Sequence, residues 1–278
     1  MKIQSIPLSA KSSPQKLVES FRDTGFAVIT DHGIPLGLVQ KVYSEWQEFF
    51  ASPTKFDFIF DKQTQSGYFP FKSENAKDSP IKDLKEFYHL YPGKVLPPTF
   101  TSATIELRDA LLEVGKTLLE WLDSDSPAEV RSLFSVPLAG MSVGSNRNLF
   151  RVIHYPPLSG TEEAGAIRAA AHEDINLITL LPASTEMGLE VKDSKGNWHS
   201  VPGNFGDVVI NVGDMLQEAS GGFYKSTTHR VVNPAGAAAM RPRYSMPLFV
   251  HPRGEVKLSD RYTAESYLIQ RLKEIGLI

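Results

Sequence analysis

The second half of the chain consists of short β-type runs separated by turns, and this pattern constrains the fold more than any other feature. From about residue 145 the runs are LFRVIHY, INLITLL, LEVKD, WHSVP, DVVINVG, HRVVNP and YSMPLFVHP. Strands spaced this closely, with no helical pattern between them, are typical of a sandwich or jelly roll rather than of a parallel α/β sheet. The sequence therefore predicts a mainly β core over residues 145–252.

Helical patterns flank this core on both sides. One amphipathic helix is predicted from Gly33 onward and a second from Thr104 to Leu122, and the apolar run FAVIT before them predicts a strand. A last helix is predicted in TAESYLIQRLKEI. We therefore expect an N-terminal α/β region over residues 1–122 and a C-terminal helix within residues 253–278.

The absence of cysteine limits the metal chemistry that the chain can perform. With no cysteine among 278 residues, disulfide scaffolds, cysteine zinc sites, iron–sulfur clusters and thiol catalysis are excluded. His172 and Asp174 are two positions apart, so in an extended strand both side chains point to the same side. His229 follows 55 positions after Asp174, within the same β-rich half. Two imidazoles and one carboxylate are the ligands of non-haem Fe(II) oxygenases, although zinc uses the same set and each histidine has an ordinary structural alternative.

Two further strands carry polar side chains with the same alternation. In RPRYSMPLF, Arg243 and Ser245 would face one side and offer a guanidinium and a hydroxyl that suit a carboxylate. In FRVIHYPP, Arg151, Ile153 and Tyr155 would share a face. A surface arginine in a strand is the commoner explanation of the first pair, and residue spacing alone leaves both explanations open.

Taken in order, these segments resemble the iron- and 2-oxoglutarate-dependent oxygenases of the isopenicillin N synthase-like group. The likeness covers nearly the whole chain: GFAVITDHGIP, GYFPFKSE and DLKEFYHL in the first half, then HED with LITLL, the hairpins through THRVV, and RPRYSMPLF. The chain departs from the family pattern where Ile153 replaces a polar residue, often Asn, and where AGAAAM is inserted before RPRYSMPLF.

The resemblance implies a distorted double-stranded β-helix, or jelly roll, with helical flanks. It implies Fe(II) bound by His172, Asp174 and His229, with O2 and 2-oxoglutarate as co-substrates. It also implies that Arg243 and Ser245 bind the distal carboxylate of 2-oxoglutarate and that Tyr155 lines the same pocket. No catalytic side chain beyond the metal ligands is expected.

The activity expected from the resemblance is hydroxylation or desaturation of a small molecule, with release of succinate and CO2. An oxidase of the isopenicillin N synthase kind without 2-oxoglutarate, a non-catalytic binding protein on the same fold and a zinc hydrolase are the alternatives. The candidate substrate contacts are Arg151, Ile153, Tyr68, Phe69 and Arg168, and each has a structural role as its alternative.

Charge and hydropathy limit the remaining partners. The net charge is −3 and the isoelectric point about 6.2, so nucleic acid is not an expected partner. No apolar run approaches the roughly 18 residues of a membrane span, and the first residues lack the apolar stretch of a signal peptide. We expect a cytoplasmic protein that is a monomer or a weak homo-oligomer.

Overall fold

The computed structural model describes residues 1–75, 80–94 and 96–274. The helices are α1 (Ser13–Thr24), α2 (Leu36–Ala51), α3 (Ala103–Asp125), α4 (Ala128–Arg131), α5 (Leu138–Ser142), α6 (Asp214–Ala219) and α7 (Ala264–Glu274). The strands of the first half are β1 (Gln4–Pro7), β2 (Phe26–Thr30), β3 (Gly67–Phe69) and β4 (Glu86–Leu90). Those of the second half are β5 (Leu149–Tyr155), β6 (Ala169–His172), β7 (Ile178–Pro182), β8 (Leu189–Lys192), β9 (Trp198–Ser200), β10 (Val208–Val212), β11 (His229–Val231), β12 (Arg243–Ser245) and β13 (Leu248–Val250).

The strands form two sheets. The major sheet has nine strands in the order β1-β2-β10-β7-β13-β5-β4-β3, with β12 also pairing with β5. The minor sheet has four strands in the order β6-β11-β8-β9. In the major sheet, β1 and β2 lie at one edge and β3 and β4 at the other, with strands of the second half between them. The expected mainly β jelly-roll architecture is confirmed.

The major sheet is apolar on both faces. In β2, Phe26 and Val28 pack with Val191 of the minor sheet, whereas Ala27 and Ile29 belong to the core between the major sheet and the helices. This alternation follows from the two-residue period of a strand. Burial of each large apolar side chain contributes about 1.5–3 kcal/mol, so the layers are held together from both sides of the sheet.

Helices α1, α2 and α3 cover the outer face of the major sheet. The apolar side chains spaced along one face of α2 are all buried: Val39, Val42, Trp46 and Phe49. The indole of Trp46 donates to Thr104 Oγ1 at 3.1 Å and so joins α2 to α3. Helix α3 continues three residues beyond the predicted Leu122, to Asp125, and ends before Pro127 because the residue preceding a proline disfavours helical backbone.

The predicted C-terminal helix is present as α7. The Thr263 hydroxyl accepts a hydrogen bond from the Ser266 N–H at 3.2 Å, which caps the first turn. Residues 275–278 of the predicted tail lie outside the described residues. Within the described ranges, no helix is both long enough and apolar enough to cross a membrane.

Gly213 joins β10 to α6 where the backbone must pass close to the segment that follows β6. A Cβ at this position would lie 2.2 Å from the Asn176 carbonyl oxygen, whereas a Cβ at Gly37 in α2 would meet nothing within 4 Å. We expect Gly213→Ala to lower the free energy of unfolding by about 1–3 kcal/mol, because the contact is with backbone that cannot move cheaply. Urea unfolding should show this loss, with Gly37→Ala as a control of equal or greater stability than the wild type. Equal stability of the two variants would contradict the prediction.

Candidate metal centre

The structure brings the three predicted ligands together. His172 ends β6 and His229 begins β11, and these residues are direct partners in the antiparallel pairing of the two strands. Their ring centroids are 4.4 Å apart. Asp174 Oδ1 lies 3.9 Å from His172 Nε2 and 3.8 Å from His229 Nε2. One potential ligand atom from each side chain therefore lies within 4.8 Å of the others.

Hydrogen bonds from the second ring nitrogens orient both imidazoles. His172 Nδ1 lies 2.7 Å from the Ala170 carbonyl oxygen, and His229 Nδ1 lies 3.1 Å from that of Thr227. A carbonyl oxygen only accepts, so Nδ1 carries the proton in each ring and Nε2 presents a lone pair. This is the tautomer that a metal ligand requires.

Asp174 is held by two donors that leave one of its oxygens free. Its Oδ2 accepts from Thr179 Oγ1 at 2.5 Å and from Asn211 Nδ2 at 2.7 Å. Thr179 and Asn211 lie on neighbouring strands of the major sheet, β7 and β10, as directly paired residues. Oδ1 therefore faces the two imidazoles. Asp174 follows β6 of the minor sheet, but residues of the major sheet hold it in position.

The protonation states also suit metal binding. Burial, together with the nearby His229, lowers the pKa of His172 to about 4. Burial alone would raise the pKa of Asp174, but the two histidines and the hydrogen bonds from Asn211 and Thr179 together hold that pKa below its usual value. At neutral pH the centre therefore offers a neutral His172 and an ionised Asp174. Three such ligands leave coordination positions open for other molecules, which fits Fe(II).

Arg243 lies fully inside the barrel, on β12 beside Tyr155 of β5. Its Nη2 donates to Ser184 Oγ at 2.7 Å and its Nε donates to the Glu186 carbonyl at 3.0 Å. Its Nη1 is buried and has no hydrogen-bond partner among the described residues. Burial lowers the pKa of Arg243. A buried guanidinium with an unused N–H is a site for an anion, and a carboxylate of 2-oxoglutarate fits it.

Ser245 and Tyr155 lie on the same inner face as Arg243. The Ser245 hydroxyl is buried 3.3 Å from that of Ser184. The Tyr155 ring lies against the Arg243 guanidinium, with 5.1 Å from Cζ to the ring centroid. The three residues predicted for the co-substrate pocket thus form one buried group. Arg243 and Ser245 both contact Ser184, and Tyr155 contacts Arg243.

Arg151 is an ion-paired residue in this structure. Its Nη1 lies 3.1 Å from Glu74 Oε2, and the same oxygen lies 2.8 Å from Lys85 Nζ. Lys85 also pairs with Asp83 at 2.8 Å. Although burial alone would lower the pKa of Lys85, the two carboxylates raise it to about 12. Two cations and two carboxylates therefore balance one another in one cluster.

The remaining candidate substrate residues divide between the two faces of the major sheet. Ile153 faces inward and packs with Phe87, Ala169 and Val231, and Phe69 packs against this cluster. Tyr68 points to the opposite face, where it belongs to the core beneath the helices and donates to Glu86. Arg168 is completely buried near Tyr155. Of these candidates, Tyr68 is therefore on the face of the sheet opposite to Ile153 and Phe69.

Sequence reasoning missed several side chains of the inner face. Thr179 and Asn211, which hold Asp174, are the polar residues of otherwise apolar strands, ITLLP and VVINV. Phe87 and His89 alternate on β4 and pair with Ile153 and Arg151. A single polar residue within a run of apolar strand residues is the sequence signal that could have identified Thr179 and Asn211.

Comparison with known proteins agrees with this geometry. The 2OG-Fe(II) oxygenase superfamily matches residues 146–252, and the family described as non-haem dioxygenase in morphine synthesis N-terminal matches residues 4–103. The chain is 31% identical over 265 residues to the 2-oxoglutarate-Fe(II) type oxidoreductase hxnY of Emericella nidulans, an alignment that covers 84% of this chain and 72% of that protein.

Solved structures extend the likeness to the whole chain. A Shewanella oneidensis protein described as an oxygenase is 47% identical, with a TM-score of 0.90 and 100% of both chains covered. A 2OG-Fe(II) oxygenase family protein from Caulobacter crescentus is 32% identical, with a TM-score of 0.80 and 99% of both chains covered. The chain therefore belongs to the 2OG-Fe(II) oxygenase superfamily and is an Fe(II)- and 2-oxoglutarate-dependent dioxygenase.

Proposed function

We propose that His172, Asp174 and His229 bind the Fe(II) of this enzyme and that residues 145–252 form its catalytic core. The convergence of two Nε2 atoms and one carboxylate oxygen from separate segments is the observation that carries the proposal. Bound Fe(II), together with 2-oxoglutarate and O2, supplies the oxidising power, and the oxo acid leaves as succinate and CO2. The tasks of the protein are to keep the three ligands on one side of the metal and to hold the co-substrate in place.

We further propose that Arg243, Ser245 and Tyr155 bind 2-oxoglutarate. A carboxylate next to Arg243 would take up the unused Nη1–H and neutralise a charge that is costly to bury. The Ser245 hydroxyl would donate to the same carboxylate. Because Tyr155 and Arg243 are directly paired across β5 and β12, the major sheet fixes the positions of these two residues relative to each other.

The substrate is proposed to be a small molecule that enters beside Phe69, Ile153 and Arg151. Phe69 stacks on Phe87, with 4.5 Å between ring centroids and 18° between planes, which gives this region an aromatic wall. Hydroxylation is the proposed outcome. A cytoplasmic location and a monomeric or weakly homo-oligomeric state remain predictions of the sequence.

The test is the release of succinate from 2-oxoglutarate in the presence of Fe(II) and air. Succinate should form in proportion to the enzyme, and it should form faster with a true substrate. Absence of succinate with every candidate substrate, despite confirmed iron loading, would favour the oxidase or the non-catalytic binding protein. Hydrolysis supported by zinc would favour the hydrolase.

The hydrogen bonds to Asp174 make a separate prediction. Asn211→Leu removes the 2.7 Å donor to Oδ2 but keeps the approximate volume, so Asp174 loses part of its orientation. We expect metal affinity to fall by about 10- to 100-fold, measured by anaerobic calorimetry with Mn(II). Asn148→Leu is the matched control, because Asn148 is also buried but accepts from the His251 N–H rather than bonding to a predicted ligand. An equal loss of affinity in both variants would contradict the role of Asn211.

A further inference from the structure

A second guanidinium lies buried beside the Arg243 pocket. Arg168 immediately precedes β6 and is 0% exposed. Its Nη2 donates to the Arg241 carbonyl at 3.0 Å. Its Nε and Nη1 are buried and have no hydrogen-bond partner within the described part of the chain. Two of its three nitrogens are therefore free to donate to a ligand.

Arg168 and Arg243 approach the same tyrosine. The guanidinium carbon lies 6.0 Å from the Tyr155 ring centroid for Arg168 and 5.1 Å for Arg243. Burial lowers the pKa of Arg168, and the charge of Arg243 lowers it further. For residues 1–75, 80–94 and 96–274, no carboxylate lies within ion-pair distance of either guanidinium. Two positive charges without a direct ion-pair partner thus lie in one buried region, and Glu186, which pairs directly with Arg241, acts on Arg168 only from beyond ion-pair distance.

The ion-paired cluster around Arg151 contrasts with this pair. Arg151 and Lys85 are matched by Glu74 and Asp83 at 2.8–3.1 Å. An anion arriving beside Arg151 would have to displace Glu74, whereas an anion arriving between Arg168 and Arg243 would displace no carboxylate. A bound anion would therefore be stabilised most beside Tyr155, where Arg168 and Arg243 have no ion-pair partner among the described residues.

We propose that Arg168 is a specificity-determining residue that binds the distal carboxylate of the 2-oxo acid co-substrate together with Arg243. This inference rests on the proposed function of the site. A carboxylate has about four lone-pair positions and accepts hydrogen bonds from two guanidiniums at once. Arg168 then adds affinity only for oxo acids that carry a second acid group. This assigns Arg168 to the co-substrate rather than to the substrate, where the sequence had suggested it.

The test compares two oxo acids of equal chain length. Calorimetry under anaerobic conditions measures the binding of 2-oxoglutarate and of 2-oxopentanoate, which lacks the distal carboxylate, to the Mn(II)-loaded protein. We expect Arg168→Gln to weaken 2-oxoglutarate binding by about 10- to 100-fold, the size of a charged hydrogen bond. Binding of 2-oxopentanoate should stay unchanged. Arg22→Gln, which removes an exposed guanidinium paired with Asp23, controls for net charge and should change neither affinity.

Each other result has a definite meaning. An unchanged 2-oxoglutarate affinity in Arg168→Gln, or an equal loss for both acids, would overturn the inference. If Arg168→Gln does not fold, Arg168→Lys replaces it, because lysine keeps the positive charge but lacks the planar set of N–H donors of a guanidinium. This variant should still bind 2-oxoglutarate more weakly than the wild type, and its binding of 2-oxopentanoate should be unchanged. If the wild type itself does not bind 2-oxoglutarate, or if Arg243→Gln binds it normally, the proposed function fails rather than the role of Arg168.

Discussion

His172→Ala should give a folded protein that no longer retains Fe(II). The imidazole lies at the end of β6, and the structure gives it one hydrogen bond, to the Ala170 carbonyl, so its loss should leave the sheet intact. Loss of a direct ligand should cost more than loss of a residue that only orients a ligand, so we expect metal affinity to fall by about 100-fold or more. Metal content after anaerobic dialysis measures this directly.

His199→Ala is the matched control for that experiment. His199 is another histidine of the minor sheet, but its Nε2 bonds to Asp193 at 2.7 Å and not to the centre. It should keep normal iron content and normal succinate release. Full iron retention in His172→Ala, or iron loss in both variants, would show that the metal binds elsewhere.

Arg243→Met should separate co-substrate binding from stability. The wild-type guanidinium is buried with an unused N–H and without an ion-pair partner among the described residues. Removal of this costly charge should offset the loss of its hydrogen bonds to Ser184 and to the Glu186 carbonyl, so we expect stability without 2-oxoglutarate to change little. Binding of 2-oxoglutarate should weaken by about 150- to 4,000-fold, since loss of one partner of a buried charge pair costs about 3–5 kcal/mol.

Thermal unfolding with and without the co-substrate measures both effects. A ligand at one hundred times its dissociation constant stabilises the folded state by about 2.7 kcal/mol, so wild-type protein should melt at a higher temperature when 2-oxoglutarate is added. Arg243→Met should show no such increase at the same concentration. A normal increase in the variant would place the carboxylate anchor at another residue.

Local periodicity was sufficient to predict much of this molecule. The two-residue period of strands predicted that Arg243 and Ser245 point to one side, and both lie on β12. The same rule predicted that His172 and Asp174 point to one side, and their ligand atoms do converge, although β6 ends at His172 and Asp174 lies just beyond it. The same period already separates Tyr68 from Phe69, because neighbours on a strand point to opposite faces. Only Phe69 packs with the cluster that contains Ile153, whereas Tyr68 lies in the core beneath the helices.

Contacts between distant segments were beyond such reasoning. The approach of His229 to His172 depends on β11 pairing with β6, and spacing along the chain does not determine that pairing. The ion pair of Arg151 with Glu74 depends in the same way on the packing of a loop against β5. Its partner could not be named from the sequence, so a free Arg151 remained possible until the side chains were seen together.

The interleaved strand order of the major sheet has a consequence for how this enzyme can be divided. Strands β2 and β4 from the first half flank β10 and β5 from the second half. Excision of residues 145–252 would uncover two long strand edges together with the apolar face beneath the helices, and such edges pair readily with other chains. We therefore expect residues 145–252, the proposed catalytic core, to aggregate when isolated, and recombination between relatives to succeed only when whole chains are exchanged.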